Sequence, residues 1–173
     1  MDKFAPDIYS QSIFSINYKK LKKNGMKCLL FDLDNTIAPI HTKKPGVKEK
    51  ELINGLQEMG FKVILFSNSG KTRLQPFKDA FNIDTAANSK KPLKGKYQKI
   101  MKLYNFKESE IACIGDQLLT DILGANRVGL TSILINPVSK VDFFATKFNR
   151  LLERPIRHYL QKKGLLTKGE YHD

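Results

Sequence analysis

Residues 28–36, Cys-Leu-Leu-Phe-Asp-Leu-Asp-Asn-Thr, carry the strongest indication of fold class, because an apolar run leads directly into two carboxylates. An uninterrupted apolar run of this length is typical of a parallel strand that is buried on both faces. Three further runs of the same kind, each bounded by Gly, Asn or Asp, cover residues 63–66, 111–114 and 132–135. The sequence therefore predicts four buried strands.

Helical periodicity occupies the segments between these runs. Helices are predicted over residues 45–59, 72–81, 94–104 and 120–128. Thr120 and Asp121 are expected to cap the last of them. Strands that alternate with helices of this length indicate an α/β fold, a Rossmann-like doubly wound parallel sheet with helices on both faces.

Polar side chains follow three of the predicted strands at the point where each strand ends. Asp32 and Asp34 follow the first, Ser67 and Asn68 the second, and Asp116 the third. Each of these residues alone is also typical of an ordinary turn. Because ligands of open parallel sheets bind beyond the carboxyl ends of the strands, the group as a whole favours a functional site.

Two carboxylates at the end of a buried strand are costly to hold close together without a cation. Magnesium is the cation that best suits the pair formed by Asp32 and Asp34, since it binds through one or two carboxylates, waters and a substrate phosphate. We therefore expect Mg²⁺ as the cofactor.

Residues 32–36 resemble the first motif, Asp-x-Asp-x-Thr, of the haloacid dehalogenase (HAD) superfamily of phosphatases. The resemblance implies that Asp32 attacks phosphorus and forms an aspartyl-phosphate. It also implies that Asp34 protonates the leaving alkoxide and later deprotonates the hydrolytic water. A second acid at this position favours a phosphatase over a dehalogenase.

Two later segments resemble the second and third motifs of the superfamily. The Ser67 hydroxyl and the Asn68 backbone N–H are expected to hold phosphoryl oxygens. Lys91, which Pro92 follows, is expected to neutralise the charge of the transferring group. Lys90 is a near competitor, and Lys91 is favoured because the proline places it at the mouth of a helix.

Gly115 and Asp116 resemble the fourth motif, with Asp121 a few residues further along. The implied metal ligands are the carboxylates of Asp32 and Asp116 and the backbone carbonyl of Asp34. Asp121 stays open between two interpretations, a metal ligand or a residue that stabilises the amino end of a helix.

The spacing between the motifs leaves no room for a large cap domain. One domain is expected, with a basic flank in residues 1–27 that packs on the core, a HAD-like phosphatase core in residues 28–139, and a basic amphipathic helical flank in residues 140–173. An open site of this kind suits a large substrate or one presented on a surface.

More narrowly, the chain resembles the YqeG-like group of capless phosphatases, which is related to the phosphatidylglycerophosphate phosphatases. Residues 9–21, residues 31–36 and the aromatic and basic stretch after Pro137 carry this resemblance. It implies phosphatidylglycerophosphate as the substrate, within phosphatidylglycerol and cardiolipin synthesis. The alternatives are a nucleotide, sugar-phosphate or phosphoprotein phosphatase, and an RNA-associated basic module, which would need no pair such as Asp32 and Asp34.

The net charge of +13 is concentrated in the two flanks, which hold +8 of it. Such a charge favours a polyanionic partner, whether anionic lipid, nucleic acid or phosphorylated substrate. Aromatic and apolar residues recur near helical spacing among the basic residues after position 143, and Pro155 is expected to start a second short helix. The segment is interpreted either as a peripheral contact with an anionic membrane or as a helix packed on the sheet with a solvated basic face.

Neither a signal peptide nor an apolar run of membrane-spanning length is evident in the sequence. Cys28 and Cys113 lie in apolar runs without the spacing of a disulfide framework or a zinc site, which indicates reduced, buried thiols. The expected location is the cytoplasm, with peripheral contact at the inner face of the membrane and no transmembrane segment.

Overall fold

Six parallel strands form the sheet in the computed structural model, which describes residues 2–173. The strands are β1 (Ile8–Ser10), β2 (Cys28–Phe31), β3 (Lys62–Phe66), β4 (Asp84–Ala86), β5 (Ile111–Gly115) and β6 (Thr131–Ile135). Their spatial order is β1-β6-β5-β2-β3-β4. The chain runs outward from β2 to β3 and β4, then crosses to the other side of β2 to add β5 and β6. The order thus reverses beside β2, and ligand sites of open α/β sheets lie at such reversals.

Helices cover both faces of this sheet. They are α1 (Tyr18–Lys23), α2 (Val47–Glu58), α3 (Lys71–Phe81), α4 (Gly95–Tyr104), α5 (Leu123–Val128) and α6 (Phe144–Lys162), and a π-helical turn (Leu118–Ile122) precedes α5. Leu29 and Phe31 pack with α1, α2 and α3, whereas Cys28 and Leu30 pack with α4 and α5 on the opposite face. Burial on both faces explains the uninterrupted apolar runs, and it confirms the predicted doubly wound fold.

The two strands at the edges of the sheet, β1 and β4, are not among the strands predicted from sequence. Each has only three residues. All three residues of β4, Asp84–Ala86, are only half-buried, so this strand needs no apolar run. Its place in the sheet comes from pairing with β3, a contact that local sequence does not encode.

The structure differs from the sequence-based expectations at three helices. A second helix was expected to start at Pro155, but one continuous α6 passes through this residue. Proline has no N–H to donate to the carbonyl one turn earlier. Because Pro155 is exposed, that carbonyl lies toward solvent. Thr120 and Asp121 lie in the π-helical turn rather than capping α5. Helix α4 begins at Gly95, so Lys91 lies in the loop before it and not at its first turn.

The connections that could hold a cap domain are short. Residues 32–46 lead from β2 to α2, and residues 67–70 lead from β3 to α3. Within residues 2–173 neither connection carries a large cap, in agreement with the sequence. No helix in this part of the chain combines the length and the apolar character that crossing a bilayer requires.

Candidate active site

The carboxyl ends of β2 and β3 open onto a cavity of ≈ 200 Å³. The predicted site residues that line it are Asp32, Asp34, Ser67, Asn68 and Lys91. Asp116 and Asp121 are buried close to Asp32. The structure thus brings all seven predicted residues into one cluster. The cluster lies at the carboxyl ends of the strands, beside β2, where the strand order reverses.

A tight turn after β2 allows both acids of the first motif to reach the cavity. Backbone N–H groups of residues 36–38 all donate to the Leu33 carbonyl, at 3.0 to 3.2 Å. Asn35 adopts a left-handed conformation with φ 61°, which asparagine tolerates better than most residues. The Thr36 hydroxyl then donates to Asp116 Oδ1 at 3.3 Å. The turn therefore joins the end of β2 to the end of β5.

Lys91 forms the electrostatic centre of the cluster. Its Nζ lies 2.8 Å from Asp32 Oδ1 and 2.6 Å from Asp121 Oδ1, and its side chain is 2% exposed. Burial disfavours the ammonium, but Asp121 and Asp32 outweigh this effect and raise the pKa of Lys91. Lys90 is exposed. The structure therefore places Lys91, and not Lys90, against Asp32.

Burial raises the pKa of Asp32 to about 6, although the charge of Lys91 acts in the opposite direction. Asp32 is thus a carboxylate that one buried ammonium holds in a defined orientation. Because a protonated carboxyl is a poor nucleophile, the pairing with Lys91 favours the reactive form near neutral pH.

Asp121 supports Lys91 from within the protein. Its Oδ2 accepts hydrogen bonds from the Gln117 N–H and the Thr120 hydroxyl, both at 3.2 Å. A Cβ on Gly115 would lie 2.2 Å from Asp121 Cγ, so glycine is required for the close approach. Asp121 therefore binds Lys91 and the start of a helical turn, and its role as a metal ligand stays a prediction.

Asp116 is bound by Arg150 of α6, one of the basic residues that were expected to face either a membrane or solvent. The guanidinium donates to Asp116 Oδ2, and its Nη1 lies 2.7 Å from the Asp116 carbonyl oxygen. Burial raises the pKa of Asp116 to about 8, with Arg150 acting against the rise. The sequence does carry one signal that Arg150 belongs to a charge network. Arg150, Glu153 and Arg157 are three and four residues apart, which places opposite charges on one helix face.

Asp34 is held by two residues that follow β3 and that sequence reasoning missed. The Ser69 hydroxyl donates to Oδ2 at 2.6 Å, and Arg73 binds Oδ1 through Nε at 3.0 Å and Nη2 at 2.8 Å. Arg73 also donates to the carbonyls of Pro39 and Thr42. It therefore fixes Asp34 and the loop after β2 relative to α3.

Asn68 contributes through its side chain. Its Oδ1 accepts from the Lys91 N–H at 2.7 Å and from the Ser89 hydroxyl at 3.0 Å, while its Nδ2 donates to the Lys91 carbonyl at 3.2 Å. The amide thus clamps the backbone of Lys91. Ser67 is buried at the end of β3, where its Oγ accepts the N–H of Ser69.

The donor set suits a hard divalent cation. Four carboxylates, Asp32, Asp34, Asp116 and Asp121, face three basic side chains, Lys91, Arg73 and Arg150. With all seven groups ionised the net charge would be −1, and burial opposes that state by raising the pKa of Asp32 and of Asp116. Among residues 2–173 no three His, Cys, Asp or Glu side chains form a metal-binding group. The predicted ligands are two carboxylates and a backbone carbonyl, which is a usual protein share for Mg²⁺.

Comparison with known proteins places these features in a family. The family model described as "Mitochondrial PGP phosphatase" matches residues 2–139. The "Probable phosphatase YqeG" of Bacillus subtilis (strain 168) is 35% identical over 161 residues, which cover 93% of this chain and 94% of the relative. "Phosphatidylglycerophosphate phosphatase 1, chloroplastic/mitochondrial" of Arabidopsis thaliana is 22% identical over 91% of this chain but only 48% of its own length.

Solved structures support the same fold. A Legionella pneumophila protein assigned to the HAD superfamily hydrolases (subfamily III A) matches 73% of this chain and 77% of its own, with a TM-score of 0.55 and 20% identity. The 3-deoxy-D-manno-octulosonate 8-phosphate phosphatase of Moraxella catarrhalis, solved with magnesium and phosphate ions, matches 72% and 77% of the two chains with a TM-score of 0.54 and 14% identity. The chain belongs to the PGP phosphatase family and is a HAD-type phosphatase without a large cap.

Proposed function

We propose that this protein hydrolyses phosphatidylglycerophosphate, with Mg²⁺ as its cofactor and Asp32 as its nucleophile. The observation that carries the chemistry is the buried pair of Asp32 and Lys91, 2.8 Å apart at a cavity that Asp34 also lines. The family description and the Arabidopsis relative support the lipid substrate. The proposed location is the cytoplasm, at the inner face of the membrane.

In the first step an Asp32 carboxylate oxygen attacks phosphorus, a new O–P bond forms, and the bond from phosphorus to the ester oxygen breaks. Asp34 donates its proton to the departing alkoxide, so the product alcohol leaves neutral. Ser67 and the Asn68 N–H hold the phosphoryl oxygens. Lys91 neutralises part of their charge, and Asn68 keeps its backbone in place.

In the second step water attacks the phosphorus of the aspartyl-phosphate. Asp34, now ionised, takes a proton from that water, and the bond between Asp32 and phosphorus breaks to release inorganic phosphate. Arg73 and Ser69 orient the Asp34 carboxylate for both transfers. Asp32, Asp116 and the Asp34 carbonyl would hold Mg²⁺, which supplies charge neutralisation at the phosphoryl group.

A panel of phosphate monoesters tests this function. The purified protein is assayed with phosphatidylglycerophosphate in mixed micelles, with nucleotides, sugar phosphates and a phosphoprotein, each with Mg²⁺ and with excess chelator. We expect the lipid to have the highest kcat/KM and chelator to abolish turnover. Preference for a soluble ester would move the assignment to that class, and full activity in chelator would exclude an obligatory metal.

Asp116→Asn tests the proposed metal ligand. The amide keeps the volume and can still accept from Arg150, but it removes a charged oxygen, so we expect Mg²⁺ affinity to fall by about 10-fold or more. Titration calorimetry with Mg²⁺ measures this without turnover. Asp142→Asn is the matched control, because Asp142 also pairs with Arg150 yet is not a proposed ligand. Equal losses in both variants would show that the effect passes through Arg150.

A further inference from the structure

Over its first three turns, helix α6 turns a charged face toward the protein and an apolar face toward solvent, whereas its last turn packs Leu160 into the core. Glu153 is fully buried, whereas Phe144 is 89% exposed, Phe148 58% and Leu151 54%. Surface helices of globular proteins normally show the opposite arrangement, with the apolar stripe on the core. The exposed residues recur at helical spacing, so they form one continuous strip. Leu152 and Pro155 extend it.

Specific polar bonds determine this orientation. Glu153 accepts the Leu119 N–H at 3.1 Å and pairs with Arg157 at 3.1 Å, which satisfies its buried charge. Arg150 binds Asp116, and Asn149 donates to the Gln117 side chain at 3.2 Å. Turning the apolar strip inward would break all of these bonds. The strip is therefore an outward feature of the folded chain.

Charge at the strip favours an anionic surface. The sole acid of α6 is the buried Glu153, whereas Lys147, Arg154 and Lys162 are exposed. Apolar side chains beside unpaired basic residues are the pattern of helices that lie in the interface of an anionic bilayer. A protein partner of ordinary composition would not require this absence of exposed acid.

The amino end of α6 also borders the active-site cavity. Phe143, Ala145 and Thr146, at the amino end of α6, line the same cavity as Asp32 and Asp34. A surface that contacts the outward face of α6 would therefore lie next to the mouth of the site. A phosphate group that projects from that surface would lie beside the cavity that Asp32 lines.

We propose that the outward face of α6, formed by Phe144, Phe148, Leu151 and Leu152 with Lys147 and Arg154 beside them, docks on anionic phospholipid bilayers. The docking proposal rests on the proposed function, since docking would bring a lipid phosphate to the active site. Arg150 and Arg157 are not part of the face, because they pair with Asp116 and Glu153.

Sedimentation with vesicles tests the docking face in the 173-residue chain. The vesicles contain phosphatidylcholine with or without phosphatidylglycerol. We expect Phe144→Ser/Phe148→Ser/Leu151→Ser to lower partitioning onto the anionic vesicles by about 10-fold or more, since binding scales with buried apolar area. Lys147→Gln/Arg154→Gln should weaken binding and reduce its salt dependence. The matched control is Val47→Ser/Leu103→Ser, because these residues are 70% and 68% exposed on other helices.

Hydrolysis of a soluble aryl phosphate should stay near the wild-type rate in all three variants, which shows that the fold and the chemistry are intact. Absence of vesicle binding by the wild type, or equal binding by the apolar variant, would overturn the docking face. So would a wild-type dimer that the apolar variant converts to a monomer. Hydrolysis of phosphatidylglycerophosphate in detergent micelles separates the two proposals, because it requires the proposed function and no bilayer.

Discussion

Replacement of Asp32 by Asn is expected to lower kcat by about 10⁴-fold or more, the scale on which enzymes lose activity when a covalent nucleophile is removed. An amide cannot form the aspartyl-phosphate. The fold should be retained, since the amide oxygen can still accept from Lys91, and Lys91 keeps its bond to Asp121. Turnover of a soluble aryl phosphate, together with the thermal unfolding midpoint, measures both parts of this expectation.

Asp79→Asn is a suitable control for this variant, because Asp79 is an exposed acid on α3 and should tolerate the same change. Retention of near-normal turnover in Asp32→Asn would end the covalent mechanism. Loss of turnover together with a large fall in the unfolding midpoint would instead assign the residue a structural role.

Lys91→Met is expected to lower kcat by about 10² to 10³-fold, the range seen when one charge-stabilising donor is removed from an active site. It also leaves Asp32 and Asp121 as neighbouring buried acids without their shared cation, and breaking such a pair costs about 3–5 kcal/mol. The free energy of unfolding should therefore fall as well. Rates must be measured at a temperature where circular dichroism shows that the variant is folded.

Lys90→Met provides the matched control for Lys91→Met. The two lysines are adjacent in sequence, but the side chain of Lys91 is 2% exposed whereas Lys90 is exposed. We expect Lys90→Met to change both kcat and the free energy of unfolding very little, since substitutions at exposed positions have small effects. Similar losses in the two variants would contradict the placement of Lys91 as the cation of the site.

Much of the fold and of the candidate site could be predicted from local patterns. The buried strand Cys28–Phe31 must be apolar at every position because helices cover both faces of the sheet, and this leaves a visible run. Asp32, Ser67 and Asp116 follow directly on such runs. Since parallel strands end at the same edge of a sheet, their order along the chain was enough to predict that they meet.

The short edge strands and the partners of the acids required the folded chain, whereas Pro92 already favoured Lys91 over Lys90 in the sequence. Arg73 lies 39 residues from Asp34, and Arg150 lies 34 residues from Asp116. A lysine or arginine has the same kind of sequence neighbours whether its side chain pairs with an acid or stays in water. Tertiary contacts alone distinguish the two cases.

Helix α6 shows this division most clearly. Its sequence indicated an amphipathic and basic segment, because the first property depends on helical spacing and the second on composition. Which side faces the protein depends on the free-energy balance between burying Phe144 and Phe148 and pairing Glu153 and Arg150 with distant groups. In the structure Glu153 is fully buried and Phe144 is 89% exposed. The ion pairs of Glu153 with Arg157 and of Arg150 with Asp116 set that balance, because they neutralise charges that the interior would otherwise strongly disfavour.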